Sequence, residues 1–290
     1  MASLKEVKGR INSVQSTRKI TGAMKMVASA KLRKAQTQIE RFQPYQQRLN
    51  EMLSDFLASE QDFSSPFAEE RETKSVAIVA VSSNSSLCGA FNSNVIKLLE
   101  KELDKYKDLP RENIHLYLVG KKVYDAALKK GRRSEGDFSS LSEKPDFEGA
   151  KNIMDQLMAD FLEKKIDRAK LIYTHLKSAA SQQLRCEQIL PIALPGKKTG
   201  KDARLTDYIV EPDKASVIAS LLPKSLRSKL YATLLDSSAA EHAARIIAMQ
   251  IATDNADDLL EDLVIQYNKT RQQAITSELL DIIGGSEAMK

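Results

Sequence analysis

Apolar residues recur at steps of three and four near both ends of the chain, and the middle alternates between strand-like and helix-like runs. In the first block, about Ser3 to Leu57, Leu4, Val7, Ile11 and Val14 set a heptad seam. Ala28, Leu32, Ala35, Ile39 and Phe42 resume it in the same phase. Between them, Arg18, Thr21 and Lys25 stand where apolar residues should sit. Pro44 predicts a kink or local bend. The last block is more regular, with 60 residues between Pro223 and Gly284 that include neither Pro nor Gly. Leu226, Leu230, Thr233, Ile246, Leu260, Leu263, Tyr267, Ala274 and Ile282 are among its periodic positions. A helix of that length would extend ~90 Å. So long a run signals a coiled coil, a membrane span or a helical repeat. Asp254, Asp257, Asp258, Glu261 and Asp262 exclude a span. The simplest partner for one terminal helix is the other, so the ends are expected to form an antiparallel hairpin.

Residues from about Thr73 to Leu222 read differently. Ser75–Val81, His115–Val119, Ala169–Thr174, Leu184–Leu194 and Tyr208–Val210 look like strands. Asn92–Tyr106, Lys121–Lys129 and Gly149–Lys164 look helical. This alternation predicts a Rossmann-like βαβ sheet with helices on both faces. Gly131–Pro145 and Pro195–Thr206 read as polar, mobile loops. The fold class is therefore α/β plus a long antiparallel coiled coil. Its expected parts are an N-terminal helix over 1–60, a central domain over 73–222 and a C-terminal helix over 223–290.

Charge sharpens this picture more than composition does. The formal net charge is only +5, yet Val7 to Ile39 contains eight Lys and Arg and no Asp or Glu. Such a field points to a polyanion, an anionic surface or an acidic protein. On a helical wheel these cations go all the way round, whereas a lipid-binding or groove-reading helix would gather them on one side. Ile20, Met24 and Val27 form a second apolar patch away from the seam. The helix is thus expected to meet its partner helix and something beyond it. Gly22, Ala23, Ala28, Ser29 and Ala30 keep it slim, and methionines adapt to changing neighbours. Cys88 and Cys186 are isolated, without zinc or redox spacing. The longest apolar run, Val76 to Val81, is too short to cross a bilayer.

Enzyme chemistry finds little support. Ser82 to Asn92 lies where a dinucleotide fold binds phosphate, but it has Gly89 alone and no G-x-G-x-x-G. PGKKTGK, from Pro195 to Lys201, is one residue short of a P-loop and lacks its Ser or Thr. Cys88 is not set in a nucleophile elbow. His115, His175 and His242 are far apart and form no metal-binding pattern. The residues alone leave open a basic coiled-coil nucleic-acid-binding protein, an α/β enzyme with helical arms, and a coiled coil working against an acidic protein.

The run RINSVQSTRKITGAMKMVASAKLRKAQ resembles the N-terminal helix of gamma subunits of bacterial-type F-type ATP synthases. AARIIAMQIATDNADDLLEDLVIQYNKTRQQAITSELLDIIGG resembles their C-terminal helix, and the loop with Leu87, Cys88, Gly89 and Asn92 is also similar. The resemblance implies a central-stalk rotor that couples a proton-driven membrane ring to ATP synthesis or hydrolysis. It implies no cofactor, metal or catalytic residue on this chain. The implied partners are the α and β subunits of an α3β3 hexamer, the epsilon subunit and the membrane c-ring, with no nucleic acid and no direct membrane insertion. The implied location is peripheral, on the cytoplasmic side of a bacterial inner membrane. By the same resemblance, Met24 and Lys25 pass acidic levers of the β subunits, and Arg271, Gln272 and Thr276 meet β loops. Glu241 and Arg245 are tied to coupling. Three departures stand out. Asn84-Ser85-Ser86 replaces an acid, a basic residue and Gly. Asp281 replaces Glu. Ser286 and Glu287 interrupt a tail usually made of small residues.

Overall fold

The computed structural model describes residues 3–59, 65–178, 181–192, 210–211 and 213–287. The elements run α1 (Leu4–Ser59), β1 (Val76–Val81), α2 (Phe91–Asp104), β2 (Ile114–Val119), α3 (Lys121–Lys129) and α4 (Ser139–Glu143). They continue with α5 (Phe147–Leu162), β3 (Arg168–Ser178), β4 (Ser181–Leu190) and α6 (Lys214–Glu287). The chain divides into two compact units, residues 29–244 and residues 1–28 with 245–290. Both α1 and α6 contribute to each.

The larger unit is built on a four-stranded sheet in the order β2-β1-β3-β4. β1 is parallel to both β2 and β3, and β4 returns antiparallel to β3. β1 is buried along its whole length, which is why VAIVAV is continuously apolar rather than alternating. Its residues still point alternately to the two faces. Val76, Ile78 and Ala80 meet Val95 and Leu99 of α2 and Val123 and Ala127 of α3. Ala77, Val79 and Val81 belong to the opposite layer, with Ile153, Leu157 and Phe161 of α5 and Leu226, Leu230 and Leu234 of α6. The unit is therefore a three-layer α/β arrangement in which α6 itself closes one face. α5 starts where Asp146 accepts a bond from Gly149 N at 3.1 Å, capping the helix.

An ion cluster ties α2 to the sheet. Glu102 is buried and accepts bonds from Lys105 and, at 2.8 Å, from Lys170 of β3. Burial alone would raise the Glu102 carboxyl. The bonds from both lysines outweigh it and hold the group below the ordinary carboxylate range.

Several expectations change. α6 begins at Lys214 and runs through Pro223, because Ile218 and Leu222 are buried against Phe56 of α1. Pro44 lies inside α1, which continues on both sides of it. Residues 131–145 are not a free loop: they hold α4, with Leu141 and Ser142 buried. Glu135 N donates to Leu116 O at 2.8 Å and Leu118 N to Ser134 Oγ at 3.1 Å, fastening the segment to the edge of β2. Residues 193–209, with the Pro195–Lys201 motif, the Pro195–Thr206 loop and most of the expected strand at 208–210, lie outside the described residues. Val210 itself is not in a strand.

In the smaller unit, the start of α1 pairs with the second half of α6. Val7 and Ala28 on one helix and Met249, Ala256 and Leu263 on the other are buried. Among the described residues, no helix is long and apolar enough to cross a membrane.

Candidate functional site

The paired helices carry most of the residues singled out by the sequence, and their seam contains three polar layers in succession. Arg18 forms an ion pair with Asp257. Thr21 Oγ1 lies 2.9 Å from Thr253 Oγ1, and Lys25 Nζ donates to Gln250 Oε1 at 2.7 Å. As residue numbers rise along α1 they fall along α6, so the pairing is antiparallel. Arg18, Thr21 and Lys25 thus each have a polar partner on the facing helix. They keep the heptad phase of the apolar positions, and α6 answers them with polar groups. Thr21 is only 8% exposed. Its hydroxyl also reaches Arg18 O at 3.0 Å, while Thr253 reaches Met249 O at 2.8 Å. Each hydroxyl has one proton, so one threonine donates across the seam and the other to its own helix. Thr253 was recoverable from the sequence, since it is in phase with Met249, Ala256, Leu260 and Leu263. Gln250 and Asp257 lie off that phase and gave no such signal.

Continued toward the chain ends, this register sets Leu4 level with about residue 271 of α6, one residue of α1 for each residue of α6. From Arg271 onward every described side chain is exposed, including Ile275, Leu279, Leu280, Ile282 and Ile283. The level of Met24 and that of Arg271 are ~30 Å apart along the axis. The structure therefore separates Met24 and Lys25 from Arg271, Gln272 and Thr276. The second apolar patch is found as expected: Ile20 and Val27 are 59% and 57% exposed, joined by Met26 at 68%. Met24 is half-buried beside them.

The loop after β1 is filled by its own side chains. Leu87 and Gly89 are left-handed, with φ of 66° and 59°. Asn92 accepts from Ser83 N at 3.0 Å and donates to Ser85 O at 3.1 Å. Cys88 and Phe91 pack on Ala240 and Ala244 of α6, whose small side chains permit the approach. The crevice where a doubly wound sheet would bind phosphate is thus used to hold α6. The three histidines lie apart in the fold. His115 meets Glu135 at 2.8 Å, His175 meets Asp236 at 2.6 Å, and His242 is buried in α6. Among the described residues no cluster could hold a metal ion.

A family model described as ATP synthase matches residues 3–289. The ATP synthase gamma chain of Phocaeicola vulgatus is 56% identical over 289 residues, covering 99% of this chain and 100% of that one. That of Bacteroides fragilis is 55% identical over 290 residues, with the same coverage. The chain belongs to the ATP synthase gamma chain family. Solved structures agree in fold. A chain of the Euglena gracilis mitochondrial ATP synthase, in a structure of OSCP, F1 and c-ring, matches with a TM-score of 0.67 and 21% identity. It covers 99% of this chain and 94% of that one. A chain from the Tetrahymena thermophila central stalk and c-ring gives 0.56 and 23%, covering 80% and 99%.

Of the positions expected to depart from the family pattern, Asn84 has a local role. Asn84 accepts from Lys121 N at 3.0 Å and donates to Ser139 O at 2.9 Å. It joins the starts of α3 and α4, and an Asp would keep only the first bond. α6 continues through Asp281 to Glu287, with Ser286 Oγ donating to Ile283 O at 3.0 Å. Glu241 and Arg245, expected from the resemblance to act in coupling, are 7% and 9% exposed. Both are engaged within the chain. Thr276 Oγ1 donates to Gln272 O at 2.9 Å, and the Arg271 and Gln272 side chains are exposed.

Proposed function

We propose that this chain is the central-stalk rotor of a proton-translocating F-type ATP synthase. The observation that carries the proposal is the full-length identity to gamma chains, on a chain whose ends pair antiparallel and leave their outer faces open. The two helices stand within an α3β3 hexamer, and the α/β unit holds the epsilon subunit and the membrane c-ring. Rotation brings the same helix surface past successive β subunits and drives their sites through different nucleotide affinities. The chemistry occurs on those subunits; this chain transmits torque and has no catalytic residue of its own. The complex is peripheral on the cytoplasmic side of a bacterial inner membrane.

Ile20, Met24, Lys25, Met26 and Val27 form the surface that meets the β levers. Lys25 serves both this surface and the seam. Arg271, Gln272 and Thr276 form a second contact higher in the hexamer. Glu241 and Arg245 act in coupling through their neighbours on this chain, in keeping with their burial. Exposed ion pairs are individually worth about 0–1 kcal/mol, so no single angle of such a rotor becomes a trap.

The test is co-expression with α and β subunits. The chain should co-purify with them and raise ATPase activity. Arg271→Ala with Gln272→Leu should lower ATPase or coupling while the complex still assembles. Equal hydrolysis with and without the chain, together with failure to co-purify, would refute the rotor. Salt-sensitive binding to duplex DNA would favour the nucleic-acid reading instead.

A further inference from the structure

A recess of about 280 Å³ opens at the free edge of β2, and Arg111, Arg132 and Arg133 are among the residues that line it. The residues that bring the arginines together are local. Arg111 sits in the short turn leading into β2, and Arg132 and Arg133 follow α3. Gly131 has φ of +70°, and a Cβ there would stand 3.9 Å from Arg111 Nη1. The left-handed turn thus folds the end of α3 back over Arg111. Lys129, Lys130, Arg132 and Arg133 are four cations within five residues and include no acid.

The charge at this recess is not balanced from within. Arg132 shares Glu100 with Lys130, at 3.4 and 2.9 Å. Glu135 also lines the recess and is hydrogen-bonded to His115 at 2.8 Å, so three arginines there face two carboxylates, Glu112 and Glu135. Arg111 and Arg133 have no ion-pair partner among the described residues, and only the exposed Glu112 stands near as an uncommitted acid. Arg111 and Arg133 are both exposed at one opening, where an anion would meet two cations without an ion-pair partner. Their planar forks match the oxygens of a phosphate group. Ile114 and Leu116 supply an apolar wall beside them. The volume is at the small end of ligand sites.

We propose that this recess binds a phosphate ester, with the phosphate on Arg111 and Arg133 and the carbon portion against Ile114 and Leu116. The site is independent of the rotor surfaces. The ester is either a free small molecule or the headgroup of a phospholipid, and the two share the same recognition chemistry.

The test uses the full chain with isotope-labelled backbone amides. It is titrated with inorganic phosphate and with sn-glycerol 3-phosphate, and is separately sedimented with phosphatidylcholine vesicles with or without phosphatidylglycerol. Glycerol phosphate should bind more tightly than inorganic phosphate and move the signals of Gly131, Arg132 and Arg133. Arg111→Gln with Arg133→Gln should weaken binding by at least ~tenfold, the loss expected for charge-assisted bonds. Arg111→Lys with Arg133→Lys, which keeps the charge, should retain part of the affinity. Lys31→Gln with Lys34→Gln on α1 should bind like the wild type. Loss of vesicle binding in the same arginine variants would assign the headgroup. Binding of the soluble ester without vesicle binding would assign a free metabolite. The proposal is overturned if no phosphate probe binds below about 1 mM, or if the Gln variants bind unchanged. It is also overturned if an acidic peptide binds the recess more tightly than glycerol phosphate, which would make it a protein-docking surface.

Discussion

Removing the carboxylate of Glu102 should destabilise the α/β unit more than its one-atom change suggests. The Glu102 side chain is 5% exposed and Lys170 is 15% exposed, so Glu102→Gln leaves a nearly buried ammonium without its counter-charge. Breaking a fully buried pair costs ~3–5 kcal/mol. Lys170 keeps some water and the face of Tyr106 at 5.2 Å, which reduces the expected cost to about 2–3 kcal/mol. The double change Glu102→Leu with Lys170→Met should cost less than either single change, since it removes both charges and keeps the volume. Urea unfolding of the full chain followed by circular dichroism would measure this. The pH dependence gives a second readout. The folded Glu102 carboxyl titrates below its unfolded value, so its contribution is complete above the ordinary carboxylate range and is lost as pH falls through the lowered value. Lys170 is raised by Glu102 against the opposing effect of burial, so its share is lost only as pH rises through the raised value. Glu102→Gln should therefore flatten the acid limb of the stability curve. A cost below ~0.5 kcal/mol with an unchanged acid limb would refute the reasoning, because that is the scale of an ordinary surface substitution.

Two further predictions concern the seam and the sheet. Thr21→Val and Thr253→Val should each cost ~0.5–1.5 kcal/mol while the double variant lies near the wild type; additive costs in the same unfolding assay would show that the hydroxyls are not coupled. Gly120→Ala should cost ~3 kcal/mol or more. The residue has φ of +100°, and an added Cβ would stand 2.3 Å from Ser82 O, a backbone atom with no room to yield; normal expression and an unchanged unfolding midpoint would contradict this.

What the sequence reveals depends on whether the signal is local. The heptad phase from Leu4 to Phe42 identifies the seam correctly, even through Arg18, Thr21 and Lys25. It says nothing of what faces those residues, because their partners are more than two hundred residues away. The continuous apolar run of β1 announces a strand covered on both faces. Pro223 misleads for the opposite reason. A rule about one residue's backbone is overridden by the packing of Ile218 and Leu222 on Phe56. Leu141 shows the same limit, since α4 is too short for its period to stand out. Glu102 and Lys170 are 68 positions apart and become a pair only when α2 lies across β3. The roles proposed for the Met24 and Arg271 surfaces rest on family likeness, since exposure and periodicity do not say what a surface touches.

The stretch of α6 beyond the level of Leu4 has a cost before any assembly begins. An isolated helix of that length is only marginally stable in water, and this one displays Leu279, Leu280, Ile282 and Ile283 along its last turns. A newly made chain without a sleeve around that tip therefore presents a segment that frays, invites proteolysis and adheres to other copies.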